Sequence, residues 1–368
     1  MKKLSLTLIG LMACLAIGIS TAQGQQYSLE DLGVVKGMDV SLPAAVNFNG
    51  HVAGTAYTKG ETCAFYYDYL QKLMYDAGGF NSRGFGINFM NLVVGDAFFA
   101  GPMEPRSHAA LFKGGVAMDL GVLKGQVYSR ANSINAMGQV VGFSGAERDG
   151  NESRAFMWSS QTGMIDIGTL GGAYAQAYAI NDAGVITGAS QTQGTGPAAT
   201  THAFIYRLLS PSKGMQDLGG LGGLFSSGMA INNYDHVAGY STISTKDGRI
   251  HAFLYNGKTM IDLGSLGGNA LDSDNSVALG VNSKDQVVGY TYLPAFGEMP
   301  VQQVAFLWSR NENGIGKMAN LNQMVDQTGT NYLLISATGI NDKGQIAAVA
   351  HDIYNGTLRA VLLTPFVK

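Results

Sequence analysis

Apolar and polar positions alternate in short runs along this chain, and each run is bounded by Gly, Asn, Asp or Ser. Runs rich in Val, Ile, Thr, Tyr and Phe between such turn residues predict β-strands. Beyond residue 22 no window of eleven or more residues shows the apolar stripe of a helix. The runs also repeat. An apolar residue and an Asn are followed, seven residues after the Asn, by Gly: Asn47/Gly54, Asn88/Gly95, Asn135/Gly142, Asn181/Gly188, Asn232/Gly239 and Asn282/Gly289, with Asn341/Ala348 as a seventh copy. Successive Asn lie 41, 47, 46, 51, 50 and 59 residues apart, so one unit spans about fifty residues. Each unit continues with a phrase such as His202-Ala203-Phe204-Ile205-Tyr206, then with Asp217-Leu218-Gly219 or a variant. The pattern predicts four antiparallel strands per unit, a to d. Phrases such as Asn181-Asp182-Ala183-Gly184 supply the residues tolerant of positive φ that a tight a–b hairpin needs.

Strand a carries the sharpest constraint. Positions two, four and six before the marker Asn are expected to share one face, because strand side chains alternate. All of these residues except Ile335 are Gly, Ala, Ser or Pro; Ala45, Pro43 and Ser41 are the first set, Gly86, Gly84 and Ser82 the second. A face that is small in every unit predicts backbones crowded around a common axis. The larger apolar residues of strands b and c then fill a blade that widens outward. The expected fold is all-β, a seven-bladed β-propeller with four antiparallel strands per blade. The seventh unit ends at Leu363-Thr364-Pro365 with no room for strand d, while Tyr27-Ser28-Leu29-Glu30-Asp31-Leu32-Gly33 carries a spare Asp-Leu-Gly. The N-terminal strand is expected to complete the last blade and so remove two open edges.

Composition adds a compartment and excludes some partners. Glycine is 51 of 368 residues, about twice the usual share of roughly 7%, and charged residues are 13%, about half the usual quarter. Hydrophobic residues, at 46%, are ample for a core. Met1-Lys2-Lys3, an apolar run over 4–19 and Ser20-Thr21-Ala22 read as a signal peptide, 1–22, ahead of a single domain, 23–368. Formal net charge is −3, and loss of Lys2 and Lys3 with the leader makes it −5, so no basic patch is left to neutralise phosphates and nucleic acid is not an expected partner. Cys63 would remain as the lone cysteine, so a core and not a disulfide must hold the exported fold. No later run reaches the roughly eighteen apolar residues of a membrane span. The expected location is secreted or periplasmic, and a ring without open edges is expected to be a monomer.

These phrases resemble the HAF-repeat family of exported bacterial proteins, whose unit runs from an apolar-Ile-Asn phrase through His-Ala-Phe to Asp-Leu-Gly and Gly-Gly. Here Ala179-Ile180-Asn181-Asp182-Ala183-Gly184-Val185-Ile186-Thr187-Gly188, His202-Ala203-Phe204 and Asp217-Leu218-Gly219-Gly220-Leu221-Gly222-Gly223 carry the resemblance, which extends over residues 27–365. It implies export and a repeat fold. It implies no reaction and no ligand.

Candidate chemistry is sparse. The repeated Asp of Asp-Leu-Gly and the marker Asn are expected to cap turns, since equivalent positions spread around a ring instead of converging. His108, His202 and His251 begin strand c in separate blades and His51 and His236 begin strand b, too dispersed for a zinc site of three or four ligands. Asp272 and Asp274, at alternate positions of Asp272-Ser273-Asp274-Asn275-Ser276, are the candidate calcium ligands; no other cofactor is expected. Variable loops on a rigid scaffold are where binding concentrates. The b–c loops carry Glu104, Arg106, Glu147, Arg148, Asp149, Lys246, Asp247, Arg249, Phe296 and Glu298, which are the candidate ligand-binding residues. The function expected is an exported, non-enzymatic propeller that binds a protein or glycan on that loop face, or acts as a scaffold. The alternative is an extracellular enzyme acting on a glycan or lactone, with metal assistance, in an axial pocket built from unlike residues of different blades.

Overall fold

The computed structural model describes residues 26–100, 106–146, 152–193, 200–268, 272–297, 300–326 and 331–366. The leader, Glu104, Glu147, Arg148, Asp149 and Glu298 lie outside the described residues. The strands form seven antiparallel sheets in a propeller, and no α-helix occurs among the described residues. The seven innermost strands are Val40–Val46, Ser82–Ile87, Tyr128–Ile134, Gly171–Ile180, Ser226–Ile231, Ser276–Val281 and Tyr332–Ile340. Six blades follow the order a-b-c-d. In the seventh, Tyr27–Asp31 pairs antiparallel with Thr357–Pro365, Tyr27 opposite Pro365 and Asp31 opposite Val361. The chain's beginning thus completes its last blade. One strand exceeds the expectation: Val325–Asp326 pairs parallel with Tyr27 and Ser28, so this sheet has five strands.

One expectation about strand a is corrected. In every blade the a–b register shifts between the fourth and second residues before the marker Asn, as between Ala131 and Ser133 or Gly228 and Ala230. The residue between them is the extra one of a β-bulge. A bulge moves later side chains to the other face, so the small residues do not share one face. Those four back abut the preceding blade: a Cβ on Gly84 would meet Gly54 O at 2.6 Å. Those two back abut the following one: a Cβ on Gly86 would meet Asn132 O and Ser133 Cα at 3.0 Å. Crowding around the axis is therefore two-sided. The bulge also explains the marker glycine. A Cβ on Gly54, Gly95, Gly142, Gly188, Gly239 or Gly289 would overlap the strand-a carbonyl of Leu42, Arg83, Arg130, Gln176, Ser227 or Val277. Where Ala348 takes the slot, the inner strand carries a second register shift, between Leu334 and Ser336.

The repeated polar residues join blade to blade. Each marker Asn is buried. Its Oδ1 accepts the backbone N–H groups two and four residues on, as from Ala183 (3.1 Å) and Val185 (2.9 Å) at Asn181. Its Nδ2 donates to the backbone carbonyl of the next blade's Asn. The series runs Asn47 to Asn88 (2.9 Å), then Asn135 (3.1 Å), Asn181 (3.1 Å), Asn232 (3.0 Å), Asn282 (3.0 Å), Asn341 (3.2 Å) and back to Asn47 (2.9 Å). The ring closes on itself. A second joint lies at the other end of strand a. Ser129 Oγ donates to Gly121 O (2.6 Å) and accepts from Ala109 N (2.7 Å), both in the preceding blade. Ser41, Ser82, Ser226 and Ser276 repeat this with the Gly of Asp-Leu-Gly, or Gly79, and the Ala of the strand-c phrase. Between these joints lies the apolar layer. Phe65, Phe156, Phe204, Phe253 and Phe306 are fully buried, and Phe204 packs in one cluster with Val141, Ala155 and Met157 of the blade before it.

Candidate functional site at the axis

The residues singled out on the b–c loops do not form one site. Lys246 and Asp247 are exposed, Phe296 is exposed, and Arg106 sits half-buried at the start of its strand c. Arg249 is drawn inward to a polar cluster between the fifth and sixth blades. It bonds Asp247 and, at 2.7 Å, Asp274. His251 lies between two carboxylates, Nδ1 at 2.9 Å from both oxygens of Asp262 and Nε2 at 3.0 Å from Asp274. The hydrogen bond to Asp262 raises the His251 pKa above its usual value, against the opposing effect of burial. Burial pushes Asp262 and Asp274 upward, but their partners prevail and both stay below the usual carboxylate range. Asp274 is held by the Arg249 guanidinium, by His251 Nε2 and by Ser265 Oγ at 2.7 Å. Calcium needs a shell of oxygen ligands instead. Asp272 is exposed. Among the described residues no group of three or more His, Cys, Asp or Glu is placed to hold a metal ion.

The repeated His and Asp pair within blades. His108 Nδ1 lies 3.0 Å from Asp119 and His202 Nδ1 lies 2.9 Å from Asp217; in the third blade Arg154 takes the place of His, 3.0 Å from Asp166. The same aspartates accept a backbone N–H from the Gly two residues on: Gly121, Gly168, Gly219 and Gly264 at 2.7–2.8 Å. They cap turns, as expected. His51 Nδ1 meets Tyr66 Oη at 3.0 Å, and His236 reaches across blades to Asp285 at 2.7 Å.

Side chains of unlike type do meet at the axis, on positions that the repeat phrases do not mark. The bulged residue of each inner strand, Ala44, Phe85, Asn132, Tyr178, Met229, Leu279 or Thr338, is half-buried in all seven blades. Around Phe85 and Tyr178 the second blade contributes Arg83 and Asp96, the third Arg130 and Phe143, the fourth Tyr174 and Gln176. The fifth adds Phe225 and Tyr240, and the sixth Tyr290 and Tyr292. Arg83 grips buried Asp96 with two nitrogens, one at 2.9 Å from Oδ1. Arg130 approaches the same carboxylate to 3.6 Å from the next blade. Its guanidinium lies 4.8 Å from the centre of the Phe85 ring and 5.4 Å from that of Phe143. Such placement over aromatic faces is attractive and preserves the hydrogen-bonding edges of the guanidinium.

Tyrosines carry the cluster onward. Tyr178 Oη donates to Gln176 Oε1 (2.8 Å) and lies 3.4 Å from Tyr174 Oη. Phe225 packs tilted on Tyr240, centroids 5.5 Å apart, and Tyr290 meets Tyr292 edge-on at 6.1 Å. Burial, and then neighbouring phenols, push the Tyr178, Tyr240 and Tyr290 pKa values up; burial also raises Tyr174. These hydroxyls remain neutral near pH 7 and act as hydrogen-bond donors and acceptors. The side chains of Arg83 and Arg130 keep 20% and 22% of their surface exposed, so solvent reaches their edge of the cluster. Strand a begins at the d–a crossing, beside the b–c loops, which places Tyr174, Phe225 and Tyr292 nearest that face. The signal was present in the sequence on the unread positions of strands a and b.

No family model matches this chain, and no curated protein matches it. Among solved structures it is similar to the β-propeller domain of the trilobed protease from Pyrococcus furiosus, described as having an open velcro topology. Identity is 11%, coverage is 90% of this chain and 99% of that one, and the TM-score is 0.52. A gluconolactonase from Xanthomonas campestris aligns over 93% of this chain and 91% of its own at 8% identity and TM-score 0.43. An ulvan lyase aligns over 92% and 94% at 8% identity and TM-score 0.42. The first of these likenesses supports the propeller fold and goes no further.

Proposed function

We propose that this protein is an exported, non-enzymatic binding propeller whose ligand is a glycan held over the aromatic cluster at the b–c end of its axis. The observation that carries the reading is the convergence of five blades on one polar and aromatic surface. Flat rings offer faces to the C–H side of a sugar, and phenols, Gln176 and the guanidinium edges offer bonds to its hydroxyls. A rigid scaffold holds them, so little ordering cost attends binding. The test is a glycan array probed with the wild type and with Tyr240→Ala. Retention of a defined glycan by the wild type, weakened about tenfold by loss of the ring, supports the reading. Retention that Tyr240→Ala leaves unchanged refutes it.

The second reading is an enzyme acting on a glycan or lactone at the same place. The axial convergence is the observation in its favour. A proton-transfer mechanism would have to rest on Asp96, which two arginines engage, or on phenols held protonated. Product release from glycans or lactones that Asp96→Asn abolishes would establish it.

A further inference from the structure

The a–b and c–d turns of the blades gather at the end of the axis away from the b–c loops. An exposed apolar side chain is ordinary by itself. Here one stands at this end of each of the first six blades: Phe48, Phe89, Met137, Leu209, Tyr234 and Ile315, exposed by 52–89%. The fold does not require the two phenylalanines. In the fourth, fifth and seventh blades the same position, next after the marker Asn, holds Asp182, Asn233 or Asp342. Their Oδ1 atoms accept a backbone N–H of the blade before, from Ala136 (2.9 Å), Asp182 (3.1 Å) and Ser283 (2.8 Å). Phe48 and Phe89 can make no such bond. Exposed lysines stand among these residues, Lys72, Lys113, Lys213, Lys258, Lys284 and Lys343, on the turns of every blade but the third. Among the described residues only Lys72 of the six is in an ion pair, with Glu30 (2.7 Å), and Lys343 holds its ammonium 4.5 Å from the centre of the Phe48 ring. The carboxylates of the same turns are engaged by the protein itself, with Glu312 left exposed: Asp68, Asp182 and Asp342 accept backbone N–H groups, and Asp235 and Asp285 pair with Arg207 and His236. The chain also enters the ring on this face, since Tyr27 opens its strand opposite Pro365 at the c–d end of the seventh blade.

We propose that this end of the ring docks on an anionic phospholipid surface, with Phe48, Phe89 and Met137 entering the headgroup region and the lysines meeting lipid phosphates. Apolar side chains set among lysines, whose stems are apolar and whose heads are charged, suit the boundary between water and acyl chains. The attraction belongs to the face and not to the whole molecule. Without its leader the chain carries a formal −5, and Asp76, Asp119, Asp166, Asp217 and Asp262, where strand d ends, lie at the opposite end. That distribution orients the ring and turns the b–c loops away from the lipid, so a ligand there and the membrane can be bound at once. A leader still attached would draw the same face to the membrane, because the residues before Tyr27 leave the ring here. A second copy of the chain fits less well, since its lysines would meet these lysines across the contact.

The experiment is flotation of the protein, free of its leader, with vesicles of phosphatidylcholine and with vesicles of phosphatidylcholine and phosphatidylglycerol in equal parts. At low salt the anionic vesicles are expected to bind about tenfold more protein than the neutral ones, with the gap narrowing at physiological salt. Phe48→Asn combined with Phe89→Asn should lower binding about tenfold. It should also hold Tm at or above the wild-type value, because Asn in that position can accept an interblade N–H as Asn233 does. Lys284→Gln and Lys343→Gln should each lower binding about fivefold. Tyr354→Asn, on an exposed b–c loop at the other end, should change nothing. The comparison of the two vesicles decides even if a variant fails to fold. Binding to neither vesicle, equal binding to both, or binding that the double phenylalanine variant spares overturns the proposal. Self-association in sedimentation that this variant abolishes, without vesicle binding, also overturns it and makes the face a contact between copies.

Discussion

Replacing Asn181 with aspartate separates the two roles of the marker Asn. Oδ1 of Asn181 accepts from Ala183 N and Val185 N, and a carboxylate there would preserve both bonds, since Asp serves such turns as well as Asn. Nδ2 donates to Asn232 O (3.0 Å) and Asp235 Oδ1 (2.9 Å), and both bonds would be lost. A bond between neutral groups is worth about 1 kcal/mol and one to a carboxylate about 1.5–3 kcal/mol. The new carboxylate would also face Asp235 at hydrogen-bond distance, adding about 1.4 kcal/mol even at the dielectric of water. Arg207, 3.1 Å from Asp235 Oδ2, offsets part of this. The expected loss is about 3–5 kcal/mol. With about 2.1 cal/mol/K of unfolding entropy per residue over roughly 340 residues, the midpoint entropy is about 0.7 kcal/mol/K, so Tm should fall about 4–7 °C. Scanning calorimetry of Asn181→Asp beside the wild type checks this. A fall below about 1 °C would mean that the Asn only shapes its own hairpin, and the interblade ring would carry no energy.

Three further outcomes follow from the same joints. Ser226→Ala removes the hydroxyl between Gly219 O and Ala203 N, and a loss of about 2 kcal/mol in urea unfolding is expected. The cluster around His251, faced by Asp262, Asp274 and Arg249, should make stability depend on pH in both directions. The raised His251 pKa gives a contribution complete below its ordinary 6.5 and lost as pH rises through the raised value; the lowered Asp262 and Asp274 values give one complete above their ordinary 3.8 and lost as pH falls through the lowered values. Tm measured against pH should therefore peak in mild acid, and His251→Gln should flatten the alkaline side. Deleting residues 23–33 leaves Thr357–Pro365 an open edge, so the shortened protein should aggregate or melt well below the wild type in light-scattering and thermal scans.

The period of the chain was enough to count the blades. A unit of about fifty residues that is apolar on alternate positions cannot bury both faces of its sheet alone, so it must stack on copies of itself. The missing last strand and the spare Asp-Leu-Gly near the N-terminus likewise implied how the ring closes, because chemistry at the two ends is complementary. Capping by Asp119, Asp166, Asp217 and Asp262 is local, decided within three residues, and local geometry is what a sequence encodes most directly.

Tertiary structure alone decided the rest. Alternation assigned the small residues of strand a to one face, and a bulge, set by the fit of strand a against strand b, divided them between two. The marker Asn read as a turn residue because half of its bonds are local; the other half reach 41 to 59 residues ahead, to the next blade, and in the last blade 294 residues back. The axial cluster was the least visible feature. Arg83 and Arg130 stand five residues before their marker Asn, Tyr240 and Tyr290 eight after theirs and Tyr178 three before its own, registers whose residue type changes from blade to blade, so only closure of the ring, which converts distance along the chain into proximity around an axis, brings them to one place.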